Sequence, residues 1–114
     1  INRDILFSMT PNLDLISQWC KEYSVNGIYV YSSDTEHFDS DYIGRNFNPL
    51  FSHQEDIATG VAAAALAFML NLNNDKKKNN FVIEQGANLG RSSKISIFIN
   101  SEKICIKGAV YFDK

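Results

Sequence analysis

Two adjacent carboxylates, Glu55 and Asp56, precede a long apolar run in the segment HQEDIATGVAAAALAFML, residues 53–70. The alanine-rich run predicts a buried helix over residues 60–72. A core helix needs only a capping residue at its start. An enzyme that handles an anionic substrate would use the same arrangement for chemistry, because a carboxylate at that place could exchange a proton with a bound molecule.

The amino-terminal end of this predicted helix could bind an anion. First-turn amides have no intrahelical partner, and the helix dipole makes that end positive. Gly60 leaves the backbone open, so its amide and those of Val61 and Ala62 could hold a carboxylate. The alternative is that Asp56 or Thr59 only caps the helix. Spacing alone favours the cap.

The composition limits the class of protein. The 114 residues are enough for one domain, residues 1–114, with a core of its own. The net charge of −2 argues against nucleic-acid binding, which needs a basic surface. The longest basic run, Lys76–Lys78 within NNDKKKNN, is interpreted as a solvated turn. We therefore expect no nucleic-acid partner.

The two cysteines, Cys20 and Cys105, lie far apart and in no metal-ligand spacing, so we predict no metal site. No secretory segment or N-x-[ST] sequon is seen, which predicts reduced core thiols in a cytoplasmic protein. The longest apolar stretch, residues 57–72, would form a helix of about 24 Å, against a bilayer core of about 30 Å. We expect no membrane association.

Hydrophobic patterns and turn residues predict the other elements. An outer helix should start at Thr10-Pro11-Asn12, with Pro11 in its first turn, and end at Asn26-Gly27. A polar loop is expected over residues 33–40 and a tight turn at Asn100-Ser101-Glu102. Strands are predicted at residues 1–9, 27–32, 41–49, 81–86, 94–100 and 103–112.

The predicted central helix is apolar on every side, so we expect strands to wrap it rather than leave it on a surface. Its small side chains would let the strands approach closely. The chain begins at Ile1 without an initiator Met, directly on a predicted strand, which leaves open that it is a piece of a longer protein.

Three segments, in order along the chain, resemble the motifs of PhzF-like proteins, the phenazine-biosynthesis-type isomerases related to diaminopimelate epimerase. RNFNP, residues 45–49, is similar to R-x-F-x-P, and EDIATGV, residues 55–61, to E-D-P-A-T-G-S. QGANLGR, residues 85–91, is similar to Q-G-x-x-[ML]-G-R. The resemblance covers essentially the whole chain, and three linked motifs make it fairly specific.

The resemblance implies an α+β fold, that of the C-terminal half of a two-domain protein. In this diaminopimelate epimerase-like fold, a mixed β-sheet is curled into a barrel-like shell around one central buried helix. One outer helix would be added here. The active site of the family lies between two such halves.

The resemblance also implies cofactor-free proton transfer on a small carboxylate-bearing substrate. The principal acid/base Glu of the family and a His belong to the N-terminal half, so these 114 residues alone should be inactive. Asp56 carries over as the catalytic, proton-handling or substrate-orienting group. Backbone amides at Thr59, Gly60 and Val61 would contact the substrate's carboxylate.

Two positions depart from the family pattern. Ile57 stands where the family has Pro, which loses some rigidity in the turn but no chemistry. Val61 stands where the family has Ser, which removes a hydroxyl from the substrate and weakens any claim to the aromatic-acid substrate of phenazine biosynthesis. The paired catalytic cysteines of the epimerases are missing, so thiol chemistry is not expected.

The remaining candidates have ordinary structural explanations. His37 and His53 are interpreted as surface residues, although His53 could line a cleft near Asp56. Arg45 is expected to pair with a nearby acid, and Arg91 to pin loop carbonyls or a carboxylate.

Two rival functions stay open: a non-catalytic half-protein that binds a partner or itself, and a carboxylate binder without turnover. We expect the chain to form a homodimer or to pair with an N-terminal half.

Overall fold

The computed structural model describes residues 1–49, 55–56, 58–73, 78–100 and 103–110. The helices are α1 (Arg3–Ser8), α2 (Leu13–Tyr23) and α3 (Gly60–Asn73), with a short 3₁₀ turn at Ala87–Leu89. The strands are β1 (Ile28–Ser32), β2 (Tyr42–Phe47), β3 (Asn80–Gln85), β4 (Ser93–Ile99) and β5 (Ile104–Val110). The predicted α+β class is confirmed.

The strands form one mixed sheet in the order β1-β2-β3-β4-β5. The β2–β3 pair is parallel and the other pairs are antiparallel. Helix α3 makes the crossover that a parallel pair requires. In the part of the chain that the structure describes, β1 and β5 are edges and the sheet stays open, so the predicted barrel-like shell is not closed.

Successive side chains of each strand point to opposite faces of the sheet, and a helix packs against each face. On one face, α3 packs against the inward residues of β3 and β4, which form the core with buried residues of the helix. On the other face, α1 packs against β1 and β2. The parallel pairing of β2 with β3, with α3 between them in sequence, brings the ends of both strands to the start of α3.

We predicted a strand at residues 1–9, and this prediction is wrong. The structure has the helix α1 there instead. The side chain of Asn2 accepts a hydrogen bond from the Ile5 amide at 2.8 Å, and Asp4 lies in the first turn. Both features favour a helix start. A run of three apolar residues does not distinguish helix from strand, and here only Leu6 is buried while Ile5 is exposed.

Helix α2 lies where it was predicted, with different ends. Asn12 is the N-cap, and its side chain accepts a hydrogen bond from the Leu15 amide at 3.1 Å. Pro11 therefore precedes the cap instead of lying in the first turn. The helix ends at Tyr23, before the predicted Asn26-Gly27 stop, and its C-cap residue Ser24 has a left-handed φ of 56°.

Helix α3 has nearly the predicted bounds, but it is not surrounded by strands as we predicted. Its buried residues are Ala63, Ala64, Leu66, Ala67 and Asn71. Its opposite side is exposed, with Val61 at 81% and Leu72 at 48% of full exposure. The expectation that strands wrap the helix on all sides is wrong for the described residues, because an open sheet contacts one side only.

The two cysteines differ. Cys20 is fully buried, as predicted, and Cys105 is exposed, which corrects the prediction of two core thiols. Cys105 lies on the edge strand β5 opposite Phe98, on the face away from α3. Both thiols are free.

Parts of three predictions lie outside the described residues: most of the basic run Lys76–Lys78, the Ser101-Glu102 turn, and the end of the last strand at residues 111–112. Within the described ranges, no helix combines the length and apolar character needed to cross a bilayer.

Candidate functional site

Asp56 lies beside the end of β2 and is half-buried. Its backbone forms an isolated antiparallel bridge with Asn46, in which the Asp56 amide donates to the Asn46 carbonyl at 3.4 Å. The Asn46 side-chain amide donates to Asp56 Oδ2 at 3.1 Å. Strand β2 therefore fixes both the backbone and the carboxylate of Asp56.

Thr59 connects Asp56 to the start of α3. The Thr59 carbonyl accepts the Ala63 amide at 3.0 Å, which places Thr59 at the N-cap position before Gly60. Its hydroxyl donates to Asp56 Oδ2 at 3.3 Å. Of the two capping alternatives, Thr59 occupies the cap, and the Asp56 carboxylate instead contacts the side chains of Asn46 and Thr59.

The side chain of Gln85, 1% exposed at the end of β3, holds this arrangement together. Its Nε2 donates to the Asp56 carbonyl at 3.0 Å and to the Thr59 hydroxyl at 2.9 Å. Its Oε1 accepts the Thr59 amide at 3.2 Å and the Tyr29 hydroxyl at 3.3 Å. All the usual hydrogen-bonding positions of a glutamine amide are thus occupied.

A cleft of about 460 Å³ lies next to the first turns of α3, between the helix and strands β1 and β2. Thr59, Val61 and Ala62 line it from the helix side, and Tyr29 and Asn46 from the sheet. Burial raises the pKa of the Tyr29 hydroxyl above its ordinary value, so this group stays protonated and donates. The cleft therefore borders the two residues that hold the Asp56 carboxylate.

The predicted anion contacts are only partly accommodated. The Thr59 amide already donates to Gln85, so the prediction that it contacts a substrate carboxylate is not supported by this arrangement. Gly60 and Val61 remain at the start of the helix, where first-turn amides lack intrahelical acceptors. A Cβ on Gly60 would lie 3.4 Å from Ile106, an ordinary contact, so glycine is not required there for space on that side.

The Arg45–Glu55 ion pair supports the Asp56 segment from the other side. Arg45 Nε and Nη2 donate to the two Glu55 oxygens at 3.0 and 2.7 Å, with both side chains at most 10% exposed. Arg45 Nη1 donates to the carbonyls of Leu6 and Met9, and Asn88 donates to Glu55. The predicted acid partner of Arg45 is confirmed: it is Glu55, which also accepts from Asn88.

The other sequence candidates lie elsewhere. The backbone amide of His37 donates to the buried carboxylate of Glu84 at 3.0 Å, and the His37 residue is exposed. Arg91 is exposed, and its backbone amide donates to the Gly86 carbonyl, which closes that loop. His53 and Ile57 lie outside the described residues. Across the described ranges, no cluster of three or more His, Cys, Asp or Glu residues could hold a metal ion.

Sequence reasoning missed Asn46, Gln85 and Tyr29. Two of them carried a signal: Asn46 is the second residue of RNFNP, and Gln85 is the first residue of QGANLGR. With EDIATGV, which supplies Asp56 and Thr59, all three motifs meet at one place. Tyr29 lies outside every motif, and only the sheet brings its hydroxyl to Gln85.

Comparison with known proteins gives one family. The family model described as phenazine biosynthesis-like protein (PhzC-PhzF) matches residues 1–112. The uncharacterized isomerase YfhB of Bacillus subtilis is 31% identical over 74 residues, which are 64% of this chain and 25% of that protein. An uncharacterized isomerase of Clostridium acetobutylicum is 30% identical over 102 residues, 86% of this chain and 34% of that protein.

Two solved structures share the fold. A phenazine biosynthesis protein of the PhzF family from Bacillus anthracis superposes with a TM-score of 0.76 at 20% identity, over 100% of this chain and 42% of that one. A PhzF-family protein from Enterococcus faecalis gives 0.69 at 14% identity, over 97% of this chain and 40% of that one. The chain thus spans less than half of either solved chain, and about a quarter to a third of the two bacterial isomerases. By its match over residues 1–112 and by its fold, the chain belongs to the PhzF-like phenazine biosynthesis family.

Proposed function

We propose that this chain is the C-terminal part of a cofactor-independent isomerase or epimerase that transfers a proton on a small carboxylate-bearing substrate. One observation carries the proposal: three motifs that are separate in sequence meet around the Asp56 carboxylate, at the start of α3 and beside a cleft. A structural cap would not need contacts from two strands. The isomerase names of the bacterial relatives support the reaction class.

Asp56 is the proton-handling or substrate-orienting group in this proposal. Its Oδ2 accepts hydrogen bonds from two neutral donors, the side chains of Asn46 and Thr59. The anionic end of the substrate would bind the amides of Gly60 and Val61, where the helix dipole favours negative charge. Thr59 would support Asp56 and not bind the substrate directly.

The second half of the site would come from another part of the protein. The acid/base Glu implied by the family resemblance is outside these 114 residues, so we propose that this chain alone is inactive. Further strands could close the shell over the open apolar face, which we define as Phe68, Leu72, Ile104 and Ile106. Each of these side chains is 40% exposed or more.

The alternative is a non-catalytic module that binds a partner or itself. The same open apolar face supports it, because large exposed apolar patches usually mark interaction sites. A carboxylate binder without turnover would use the helix start in the same way. A cytoplasmic location is proposed for all three. The departure at Val61 leaves a phenazine precursor as a weak choice of substrate.

Solvent deuterium incorporation tests the proposed reaction. The full gene product that contains these residues would be incubated in D₂O with a panel of small carboxylates bearing an acidic C–H bond. Exchange at carbon is expected with at least one of them, and Asp56→Asn should abolish it. Exchange by wild type and Asp56→Asn at the same rate would refute the role of Asp56. Binding without exchange by the full gene product would favour the carboxylate binder.

A further inference from the structure

We infer that Gln85 is the positioning residue of this site: its side-chain amide fixes the Asp56 carboxylate relative to the start of α3, acting through Thr59. The chemical role of Asp56 in this inference rests on the proposed function. The placement itself follows from the hydrogen bonds of four residues on three separate segments of the chain.

Backbone groups determine the orientation of the Gln85 amide. The Thr59 amide can only donate, so the atom that faces it must be the oxygen Oε1. The Asp56 carbonyl can only accept, so the atom that faces it must be the nitrogen Nε2. A flipped amide would set donor against donor and acceptor against acceptor. The oxygen and nitrogen of Gln85 are therefore assigned by chemistry.

This orientation directs the hydroxyl of Thr59. Nε2 of Gln85 donates to the Thr59 hydroxyl oxygen at 2.9 Å, so that oxygen is an acceptor in this contact. The single hydroxyl proton is then free to donate, and Asp56 Oδ2 lies 3.3 Å away. Gln85 thus acts on Asp56 twice, on its carbonyl directly and on its carboxylate through Thr59.

The other end of the Gln85 amide reaches the cleft. Tyr29 donates its hydroxyl proton to Oε1 and lines the cleft with its ring. The ring passes over Gly44 so closely that a Cβ at that position would lie 2.4 Å from it. Tyr29, Gln85 and Thr59 therefore form one chain of contacts from the cleft wall to Asp56.

Nuclear magnetic resonance of the 114-residue chain tests the inference with two variants. Gln85→Met removes the amide at similar size. It should move the ¹³C resonance of the Asp56 carboxyl carbon and make the Thr59 amide exchange with solvent about tenfold faster, the value expected for a lost hydrogen bond. Thr59→Val removes only the hydroxyl. It should move the Asp56 resonance while the amide of residue 59 stays protected by Gln85.

Two control variants separate positioning from general destabilisation. Asn71→Leu removes another buried amide, which donates to the Lys78 carbonyl at 2.7 Å near the far end of α3. It should lower the unfolding temperature without moving the Asp56 resonance. Thr59→Ser keeps the hydroxyl and should restore the wild-type resonance.

An Asp56 resonance that is unchanged in both Gln85→Met and Thr59→Val would overturn the inference. If Gln85→Met does not fold, Thr59→Val against Thr59→Ser decides alone. Titration with benzoate, followed at the amides of Gly60 and Val61, separates this inference from the proposed function. Lack of benzoate binding by the wild type would count against the anion site of the proposed function. The Asp56 resonance in the variants would still decide whether Gln85 positions Asp56.

Discussion

Asp56→Asn separates chemistry from structure at the level of a single residue. An asparagine oxygen can still accept hydrogen bonds from Asn46 and Thr59, so we expect the free energy of unfolding to change by less than about 1 kcal/mol. Loss of an acid/base group typically costs about a hundredfold or more in rate. Turnover of the full gene product should therefore fall steeply while its thermal melt stays in place. A variant as active as wild type would leave Asp56 with a purely structural role.

The neighbouring carboxylate, Glu55, should behave in the opposite way. Glu55→Leu leaves the Arg45 guanidinium without its buried counterion, and breaking such a pair costs about 3–5 kcal/mol. Urea unfolding should show this loss, and the double variant Arg45→Met/Glu55→Leu should recover part of it.

The exposed pair Lys94–Asp39 provides the control for that measurement. The Lys94 ammonium lowers the pKa of Asp39, but the Asp39 side chain is more than half exposed, so Asp39→Asn should leave the urea midpoint almost unchanged. A Glu55→Leu variant as stable as wild type would show that water reaches the Arg45 guanidinium.

Residue patterns in the sequence predicted one part of the site and missed another. Asp56, the helix start and the acid partner of Arg45 were predictable, because each follows from local spacing or from a simple rule of charge pairing. The roles of Asn46, Gln85 and Tyr29 were not, since they depend on which strands are neighbours. No local pattern states that β2 lies parallel to β3, so the meeting of residues 46, 56 and 85 appears only in the fold.

At the level of secondary structure, most elements were predicted close to their observed bounds. The long run of α3 and the alternating strand β4 were predicted within one or two residues at each end. The short helix α1 was taken for a strand, because its three apolar residues suit either element and the N-cap by Asn2 was overlooked. The exposed side of α3 could not be predicted from composition, since an apolar surface does not reveal what covers it.

A matched pair of alanine substitutions tests the two sides of α3. Ala64 is buried against the sheet and Ala65 is exposed. Ala64→Leu should lower the free energy of unfolding by about 1–3 kcal/mol through overpacking. Ala65→Leu should change it by less than about 0.5 kcal/mol, because leucine is a good helix former on an open surface. Urea unfolding at low protein concentration measures both, and equal losses would mean that the second side of α3 is covered as well.

At the level of the whole molecule, the open apolar face leads us to expect association. The isolated 114-residue chain should form a homodimer, most simply with two-fold symmetry. Light scattering over a concentration series measures this directly. Leu72→Lys places a charge in the open apolar face and should shift the chain toward monomer. Phe38→Lys, which changes a fully exposed residue of the loop before β2, should not. A wild-type chain that stays monomeric at high concentration would refute the prediction that the open apolar face is a homodimer interface.

If the proposed function is right, activity should depend on an N-terminal half of the protein rather than on the dimer. The isolated chain is expected to catalyse no deuterium exchange into small carboxylates, because its half of the site offers Asp56 but not the acid/base Glu that the family resemblance places in the N-terminal half. Adding that half in trans, as a separately produced segment of the same gene product, should restore exchange if the open apolar face is where the two halves meet. Leu72→Lys should then weaken the restoration, and Phe38→Lys should not. Exchange by the 114 residues alone would instead show that Asp56, or another acid of this half, suffices as the base.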